Sequence, residues 1–390
     1  MKVLLVNKFY YRRGGDCIYV LNLEQMLKAH GHEVAIFTMQ YPENLSSKWS
    51  KFWPSEMTAI KALIRPFGVS EVRHKFSNLI DEFKPDVVHL NNIHTQLSPI
   101  IAEIAHKRGI RVVWTLHDTK LVCPAYTCQR NGKWCDECFE DKTAVMKHRC
   151  LPGNIIGAFV GWREILKWNK NRLMACTDLF MPPSQFLKDT MVRGGYAPEK
   201  FEVLCNFIDV DKVKGRWSEN KDDYYVFLGR VDDYKGVATL CKAANQMLYR
   251  LKIIGDGPLK QKLSDTYKTN SNIEFLGQLA WDDLSPILAR AKFMVLPSEC
   301  SENNPLTVIE SQSLGTPVLG ARIGGIPELI EENVTGMTFK SGNVEDLKQK
   351  IEMMWNASFD YKTIAENAVR RYSSKAYYEK LMGYYIGSRE

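Results

Sequence analysis

The sequence of 390 residues lacks any long hydrophobic run, although 45% of its residues are hydrophobic. No apolar stretch approaches the roughly 18 residues that a membrane-spanning helix needs. The start, MKVLLVNKFYYRR, has an apolar part too short for a signal peptide and typical of a first β-strand. A chain this rich in hydrophobic residues is expected to form a large core. We therefore expect a folded cytoplasmic protein of about two or three domains.

The sequence also lacks clustered basic stripes and any nucleic-acid reader motif, so we expect no nucleic acid as a partner. Its net charge of +7 is nonetheless unevenly shared, with +8 in residues 1–208 and −1 in residues 209–390. The positive first half predicts contact with something anionic. A phosphorylated substrate and an anionic membrane surface would both be negatively charged partners for this half.

Two series of short apolar runs alternate with amphipathic stretches and are separated near residue 209 by a polar segment. Nearly continuous apolar strands between helices are typical of parallel sheets covered on both faces. The predicted fold class is therefore α/β, with two Rossmann-like domains whose ligand sites lie at the carboxyl ends of the strands. The strand-like runs are 2–6, 33–37, 86–90, 111–116 and 178–182, then 224–229, 249–255, 272–277, 292–297 and 317–321; helix-length segments include 15–30, 96–108 and 184–193.

Neither glycine-containing loop after a strand has the complete G-x-G-x-x-G pattern of dinucleotide-binding proteins. The loop after the first strand has only the pair Gly14-Gly15, and the later GDGP (255–258) lacks the third glycine. A dinucleotide-dependent oxidoreductase is therefore disfavoured.

In the segment SECSENNPLTVIESQSLG, Glu302 and Glu310 lie on either side of a predicted helix start. Asn304 followed by Pro305 predicts a capping side chain and then proline at the first helical position, and Gly315 predicts the helix end. Glu302 and Glu310 should then lie about 10 Å or more apart, further than the ~5 Å of a retaining glycosidase pair. We expect two different roles on one long ligand, although each glutamate alone could be an ordinary surface residue.

Several motifs are spread over nearly the whole chain: the Gly14-Gly15 loop, LHDTKLVCP (116–124), VLCNFID (203–209), FLGRVDDYKG (227–236), IIGDGPL (253–259), and the pair Glu302 and Glu310 with seven residues between them. In this order they resemble the motifs of the family 4 retaining glycosyltransferases (glycosyl transferases group 1). Many members carry Gly after the Asn of the VLCNFID motif, where this chain has Phe207.

The resemblance implies a GT-B fold, in which two Rossmann-like domains have parallel sheets that face each other across a cleft. Residues 1–208, with a cysteine-rich insert at 119–150, would form the acceptor-binding domain and be joined by a C-terminal helix at 372–390. Residues 209–371 would form the nucleotide-sugar-binding domain.

The resemblance also implies a role for individual residues. Glu302 and His117 would be catalytic and contact the transferred sugar. Arg230 and Lys235 would hold the diphosphate, and Glu310 would bind the ribose. The other expected donor-binding residues are Gly15, Asn304, Pro305 and Leu306. No metal or cofactor would take part in transfer, and the acceptor-binding residues stay unassigned.

The function implied is a retaining, metal-independent, hexosyltransferase-type glycosyltransferase of cell-surface polysaccharide or glycoconjugate synthesis. It would move a sugar from a nucleotide-sugar donor to a glycan or lipid-linked acceptor. A nucleotide-sugar-binding scaffold without transfer and a GT-B-fold nucleotide-sugar epimerase are the alternatives. The intact set of Glu302, Glu310, Arg230 and Lys235 argues against the scaffold, and only an epimerase would convert the donor without an acceptor.

Five of the ten cysteines are clustered in the insert. The C-x-x-C spacing of Cys135 and Cys138 is that of a zinc knuckle, with Cys150 as a third ligand and Cys123 or His148 as the fourth. A structural zinc is one interpretation, and a reduced, partly buried cluster that includes these cysteines and Cys128 is the other.

Two segments, residues 49–67 and 161–173, interleave aromatic and basic side chains. This pattern fits peripheral contact with the inner membrane surface, where a lipid-linked acceptor would lie. It fits equally well amphipathic helices that pack on their own domain.

Overall fold

The computed structural model describes residues 1–152 and 154–387, which form two compact units. The first unit contains Met1–Cys205 together with the chain from Tyr378 onward, and the second contains Asn206–Tyr377. The acceptor and donor roles expected for the two domains remain predictions. Among the described residues, no helix combines the length and apolar character that crossing a membrane would require.

The first unit is built around a sheet of five parallel strands in the order β2-β1-β3-β4-β7. Its strands are β1 (Lys2–Val6), β2 (Glu33–Phe37), β3 (Val87–Leu90), β4 (Arg111–Thr115) and β7 (Leu179–Met181), with β5 (Gln129–Arg130) and β6 (Lys133–Trp134) in a separate hairpin. Its helices are α1 (Gly15–Ala29), α2 (Ala59–Ile64), α3 (Ser70–Phe83), α4 (Ile100–Lys107), α5 (Glu137–Glu140), α6 (Ala144–His148), α7 (Asn154–Lys167), α8 (Lys170–Ala175) and α9 (Gln185–Arg193).

The second unit has a sheet of six parallel strands in the order β10-β9-β8-β11-β12-β13. Its strands are β8 (Tyr225–Leu228), β9 (Leu251–Ile254), β10 (Ile273–Gly277), β11 (Met294–Leu296), β12 (Val318–Ala321) and β13 (Gly336–Phe339). Its helices are α10 (Val237–Ala244), α11 (Lys260–Tyr267), α12 (Trp281–Arg290), α13 (Leu306–Ser313), α14 (Val344–Asn356) and α15 (Tyr361–Tyr372), after which comes α16 (Ser374–Ile386). Strand β13 was not predicted from the sequence.

Most predicted boundaries lie within a few residues of the observed ones, but the helix expected over 96–108 begins only at Ile100. The reason is local, because Ser98 has a left-handed backbone with φ of +68° and Pro99 precedes the first helical residue. A residue before proline is disfavoured in the helical conformation.

The last part of α16 belongs to the first unit. The Tyr385 hydroxyl lies 2.6 Å from Nδ1 of the buried His89 on β3, and the Arg111 guanidinium donates to the Tyr384 carbonyl at 2.9 Å. These contacts attach the end of the chain to the sheet of the first unit.

Each sheet has one point at which the strand order reverses, between β1 and β3 in the first unit and between β8 and β11 in the second. In open α/β sheets, ligands bind beyond the carboxyl ends of the strands at such points. The loops that leave these strands carry Gly15 after β1, Lys235 after β8 and Glu302 after β11. The sheet topology therefore places predicted site residues where ligand sites are expected.

Candidate active site

In the second unit the Lys235 ammonium contacts the Glu302 carboxylate. Lys235 ends the 3-10 turn Asp233–Lys235 after β8, and Glu302 lies in the loop between β11 and α13. The Ser298 hydroxyl donates to the same Glu302 oxygen at 2.8 Å. Burial alone would lower the pKa of Lys235, but the charge of Glu302 and its hydrogen bond outweigh burial and the pKa is raised. Lys235 therefore stays protonated in this loop.

Two glycines hold the loops of this pair in close backbone contact. Gly236 has φ of +67°, and a Cβ there would lie 1.9 Å from the carbonyl oxygen of Pro297. A Cβ on Gly324, with φ of +60°, would lie 2.3 Å from the carbonyl oxygen of Glu302. Only glycine tolerates both the left-handed backbone and this approach, so the positions of Lys235 and Glu302 are fixed by their main chains.

Arg230 lies two residues after β8, and its side chain is 70% exposed. Its Nε lies 3.4 Å from the Asp232 carboxylate, which also accepts the Lys235 backbone N–H at 3.0 Å. An exposed ion pair of this kind contributes little free energy. The Arg230 guanidinium can therefore turn toward an anionic ligand at small cost.

The predicted capping role of Asn304 is wrong. Helix α13 begins at Leu306 with Pro305 at its N-cap, and no side chain caps it. The Asn304 Oδ1 instead accepts the backbone N–H of Asn206 at 3.0 Å, and its carbonyl accepts the Asn206 side-chain amide at 2.8 Å. Asn304 pairs with Asn206 of the VLCNFID motif rather than with the helix start, because Asn206 offers both its backbone N–H and its side-chain amide as donors. The predicted helix end is confirmed, since Gly315 follows α13 with φ of +69°.

The Asn304 side chain is buried, and its Nδ2 has no hydrogen-bond partner among the described residues. A buried amide without a partner is costly, so an occupant of the site that accepts this hydrogen bond would be favoured. Beside it, the first backbone N–H groups of α13 have no acceptor within the helix, as at any helix start, and can bind an anion. Asn304, Pro305 and Leu306 thus form one polar edge suited to anionic or oxygen-rich ligands.

Glu310 is partly buried on α13. Burial raises the pKa of its carboxyl group to about 7, an effect that the charge of Lys212 partly offsets. A carboxylate near its ionisation point is sensitive to any ligand that donates hydrogen bonds to it. The two glutamates therefore differ in environment: Glu310 is a partly buried residue whose carboxyl group has a raised pKa, whereas Glu302 is paired with Lys235.

In the first unit, His117 follows β4 and is partly buried. Its Nε2 donates to the Asn91 Oδ1 at 3.1 Å, and its ring meets Tyr19 edge-on with centroids 5.2 Å apart. Burial lowers the pKa of His117 to about 4, although Asp16 acts in the opposite direction. The imidazole is therefore neutral at physiological pH. Gly15 is the first residue of α1 and is exposed.

Sequence reasoning missed the polar residues that surround His117. The Asp16 carboxylate, one residue after Gly15, accepts the Asn92 side-chain amide at 3.1 Å, and the Asn92 backbone N–H donates to Asn7 Oδ1 at 3.1 Å. Burial would raise the pKa of Asp16, but His117, Asn92 and Lys8 outweigh it and the pKa is lowered. The signal was present, because Asn7 directly follows the carboxyl end of β1 and Asn92 lies two residues after that of β3.

The predicted zinc ligands surround a cavity of about 10 Å³ in the insert, lined among others by Cys123, Cys135, Cys138, His148 and Cys150. Nevertheless, no three His, Cys, Asp or Glu side chains of the described residues are arranged to hold a metal ion. All five insert cysteines are reduced.

Two family models match the chain and together span most of it. The model described as Glycosyltransferase Family 4 matches residues 13–212, and the model described as Glycosyl transferases group 1 matches residues 209–371. The two matches meet where the first unit gives way to the second.

Two curated relatives illustrate the range of similarity. The uncharacterized glycosyltransferase MJ1178 of Methanocaldococcus jannaschii is 31% identical over 166 residues, which cover 42% of this chain and 47% of that protein. The chain thus spans about half the length of this relative. The N-acetyl-alpha-D-glucosaminyl L-malate synthase of Bacillus anthracis is 23% identical over 397 residues, covering 99% of this chain and 96% of that one.

Solved structures resemble the chain over its whole length. The lipopolysaccharide outer core galactosyltransferase WaaB in its apo form has a TM-score of 0.70 at 15% identity and covers 98% of both chains. HepE of Anabaena in complex with UDP-glucose has a TM-score of 0.65 at 16% identity and covers 98% of this chain and 99% of that one. At such low identity the likeness concerns the fold.

Proposed function

The chain belongs to glycosyltransferase family 4 and has the GT-B fold, and from this premise we propose that it is a retaining, metal-independent, hexosyltransferase-type enzyme. It would move a sugar from a nucleotide-sugar donor to a glycan or lipid-linked acceptor in cell-surface polysaccharide or glycoconjugate synthesis. UDP-glucose bound to HepE, a protein of the same fold, supports a nucleotide sugar as the donor.

The observation that carries this proposal is the contact between Lys235 and Glu302 at the strand-order reversal of the second sheet. A nucleotide sugar carries two negative charges on its diphosphate and hydroxyl groups on its sugar. Lys235 supplies a compact positive charge, and the exposed Arg230 supplies a fork that matches phosphate oxygens. Glu302 supplies an acceptor for sugar hydroxyls beside them.

The remaining residues have roles that follow from their positions. The N–H groups at Leu306 and the unpartnered amide of Asn304 would bind donor oxygens. Ionised Glu310 would accept the two ribose hydroxyls, as acidic residues do in dinucleotide folds. Gly15 would donate its backbone N–H to the phosphate, and neutral His117 would contact the sugar; both residues lie in the first unit.

The chemistry we propose is stabilisation of a leaving group by fixed charges. The bond between the anomeric carbon and the phosphate oxygen breaks, and the acceptor oxygen forms the new bond on the same face. The departing diphosphate takes the acceptor proton, and Arg230 and Lys235 stabilise its negative charge. Preorganised charges of this kind commonly contribute most to such catalysis.

A thermal-shift comparison tests the donor site. The full chain is melted with UDP, GDP, ADP and dTDP and with their sugar conjugates, because a ligand that binds only the folded state raises the Tm by mass action. Lys235→Ala should lose most of the shift. Lys348→Ala is the matched control, since Lys348 is 25% exposed and paired with Glu345, much as Lys235 is 28% exposed and paired with Glu302.

Two results would contradict the donor site. One is a wild-type chain whose Tm no nucleotide or nucleotide sugar shifts. The other is a Lys235→Ala variant that responds to the ligand as Lys348→Ala does. Conversion of the donor with no acceptor present would instead favour the epimerase, and binding without any transfer would favour the scaffold.

We also propose peripheral contact of the first unit with an anionic membrane. Three of the four tryptophans in segments 49–67 and 161–173, Trp49, Trp53 and Trp168, are buried in their own unit, so they are not the contact surface. Large apolar side chains on two helices are exposed instead: Ile60, Leu63 and Ile64 on α2, and Ile155, Ile156 and Phe159 on α7. The charge of +8 in residues 1–208 would add electrostatic attraction.

Sedimentation with liposomes tests this contact. Wild type should sediment with anionic vesicles at low salt and less with neutral ones. The double variant of Ile60→Glu and Ile156→Glu should remain in the supernatant. Leu248→Glu, at a position that is 90% exposed in the second unit, should sediment as wild type does. Equal sedimentation of all three proteins would contradict this surface.

A further inference from the structure

The cysteine-rich insert has little that holds it together. Between residues 119 and 150 its regular structure consists of the two-residue strands β5 and β6 and the short helices α5 and α6. One small buried cluster contains Cys138, Ala144 and Val145, and the insert's other buried apolar side chains are Leu121, Val122, Cys123 and Cys128. Small folds with a core of this size commonly need a disulfide or a metal.

Four cysteines of the insert line one small cavity. Cys123, Cys135, Cys138 and Cys150 reach it from a turn, a loop, α5 and the segment after α6. The cavity volume of about 10 Å³ is close to that of one water-sized sphere.

The other two candidate ligands are occupied elsewhere. His148 Nε2 donates to Glu137 at 2.7 Å, while its Nδ1 accepts from Arg130 at 3.1 Å, so both ring nitrogens are used. Cys128 does not line the cavity, although its side chain bonds with that of Cys123. The fourth ligand, which the sequence left open between Cys123 and His148, is therefore Cys123.

We propose that Cys123, Cys135, Cys138 and Cys150 bind one structural Zn²⁺ as four thiolates. Each thiol releases its proton to solvent when the metal enters. The four thiols must move to coordinate the metal, since no three possible ligands of the described residues are arranged to hold one; zinc–thiolate bonds are about 2.3 Å long. The Zn²⁺ with four thiolates has a net charge of −2.

Two cations of the insert are placed to balance that charge. The Lys142 ammonium donates to the Phe139 carbonyl at 2.9 Å and also bonds the carbonyl of Cys138. The positive charge of Arg130 acts on the thiol of Cys150. Hydrogen bonds and cations around the sulfurs are a usual part of thiolate metal sites.

The position of the insert indicates what the metal would stabilise, namely the loop that follows His117 and Asp118. The insert starts directly after His117 and Asp118, which follow β4, so its first residues adjoin His117 in the chain. Lys120, near its start, is nearly buried and pairs with Glu164 at 3.0 Å. A metal that ties Cys123 to the end of the insert would hold this loop in one conformation.

Metal analysis of the purified full chain tests the proposal. Wild type loaded with Zn²⁺ and dialysed should retain one zinc per chain, and Cys135→Ser and Cys138→Ser should each retain none. Cys128→Ala and His148→Ala are matched controls within the insert and should both retain one. Loss of zinc from Cys128→Ala but not from Cys123→Ser would overturn the assigned ligand set, and a wild type with no zinc would overturn the site itself.

Cobalt substitution keeps the proposal testable if the serine variants fail to fold. Wild type titrated with Co²⁺ should reach one equivalent, with intense visible absorption typical of a tetrahedral site and sulfur-to-cobalt charge-transfer bands in the near ultraviolet. Bands of a six-coordinate oxygen site, or no saturation at one equivalent, would contradict four thiolates. Iron found in place of zinc in protein from cells would contradict the choice of metal, because four thiolates also accept iron.

Discussion

Lys235 and Glu302, 67 residues apart in sequence, are in direct contact beyond the ends of the neighbouring strands β8 and β11. Each charge is largely removed from water, at 28% and 15% side-chain exposure, and each is the other's counter-ion. Removing one partner of such a pair leaves the other uncompensated. The contact therefore keeps a positive and a negative group ready for the donor without either being buried alone.

We predict that Glu302→Ala nearly abolishes transfer while nucleotide binding persists. The variant loses the acceptor for sugar hydroxyls, and Lys235 then turns wholly to the diphosphate. The loss of a preorganised electrostatic group commonly lowers kcat by about 10²-fold or more. Steady-state transfer assays and nucleotide titration of the same protein separate the two effects.

Glu345→Ala is the control for this variant, because it also removes the carboxylate of a Lys–Glu pair, on the surface of the second unit. It should leave kcat and nucleotide affinity unchanged. If Glu302→Ala turned over donor at the wild-type rate, the catalytic assignment of Glu302 would be wrong.

We predict that donor affinity rises with pH around neutrality through Glu310. Its pKa of about 7 means that the carboxyl group is ionised only above that pH, and the ionised form accepts two ribose hydroxyls. Hydrogen bonds to a charged group contribute about 1.5–3 kcal/mol, or roughly 10- to 100-fold in affinity. Isothermal titration from pH 6 to pH 8 should show the rise in wild type and a weak, flat response in Glu310→Gln.

Stability should change in the opposite direction at Glu310. Its folded pKa lies above the ordinary value of 4.5, so its contribution to stability is fully present below pH 4.5 and is lost as pH rises through 7. Glu310→Gln should therefore melt higher than wild type at pH 8, with a difference that shrinks toward pH 5. A variant that melts lower than wild type at pH 8 would contradict burial as the cause.

Much of the fold could be predicted because strands buried on both faces leave continuous apolar runs in the sequence. The GT-B fold implied by the motifs is confirmed. Strand β13 was missed, since Gly336–Phe339 contains one glycine and one threonine and has no marked run. The partner of Asn304 was missed for another reason. Its competitor, Asn206, lies 98 residues away, and the local capping pattern carries no information about it.

The constellation around His117 shows the same limit. Asp16, Asn92 and His117 follow three different strands, and only the order β1-β3-β4 in the sheet brings them together. The sequence shows which polar residues follow each strand, but it does not show which strands are neighbours in the sheet. The roles of His117, Glu302, Glu310, Arg230 and Lys235 rest on the family resemblance and stay predictions that these experiments test.

We predict that Asn304→Asp weakens donor binding by about tenfold or more while the chain stays folded. An aspartate keeps the acceptor for the Asn206 backbone N–H, but it replaces the unpartnered Nδ2 donor with negative charge next to the diphosphate. Nucleotide titration with circular dichroism on the same sample separates binding from folding. Asn220→Asp, at an exposed position, should bind as wild type does.

We predict that wild-type kcat/KM shows no inflection near pH 6.5 that depends on His117. Burial holds the pKa of His117 at about 4, so the imidazole stays neutral from pH 8 down to pH 5 and donates its Nε2 proton throughout. An inflection near pH 6.5 that disappears in His117→Gln would contradict the neutral imidazole. His74→Gln, which alters an exposed histidine of the first unit, is the control.

The lowered pKa of His117 should also make the folded protein less stable in acid. Its folded pKa lies below the ordinary value of 6.5, so its contribution is fully present above pH 6.5 and is lost as pH falls toward 4. Each proton bound only by the unfolded state costs about 1.4 kcal/mol per pH unit. His89, whose pKa burial lowers to about 3, acts in the same direction. Melting temperatures from pH 7 to pH 4 should therefore fall less steeply in His117→Gln than in wild type, whereas His74→Gln should follow wild type. Equal slopes in all three proteins would show that His117 is not held neutral by burial.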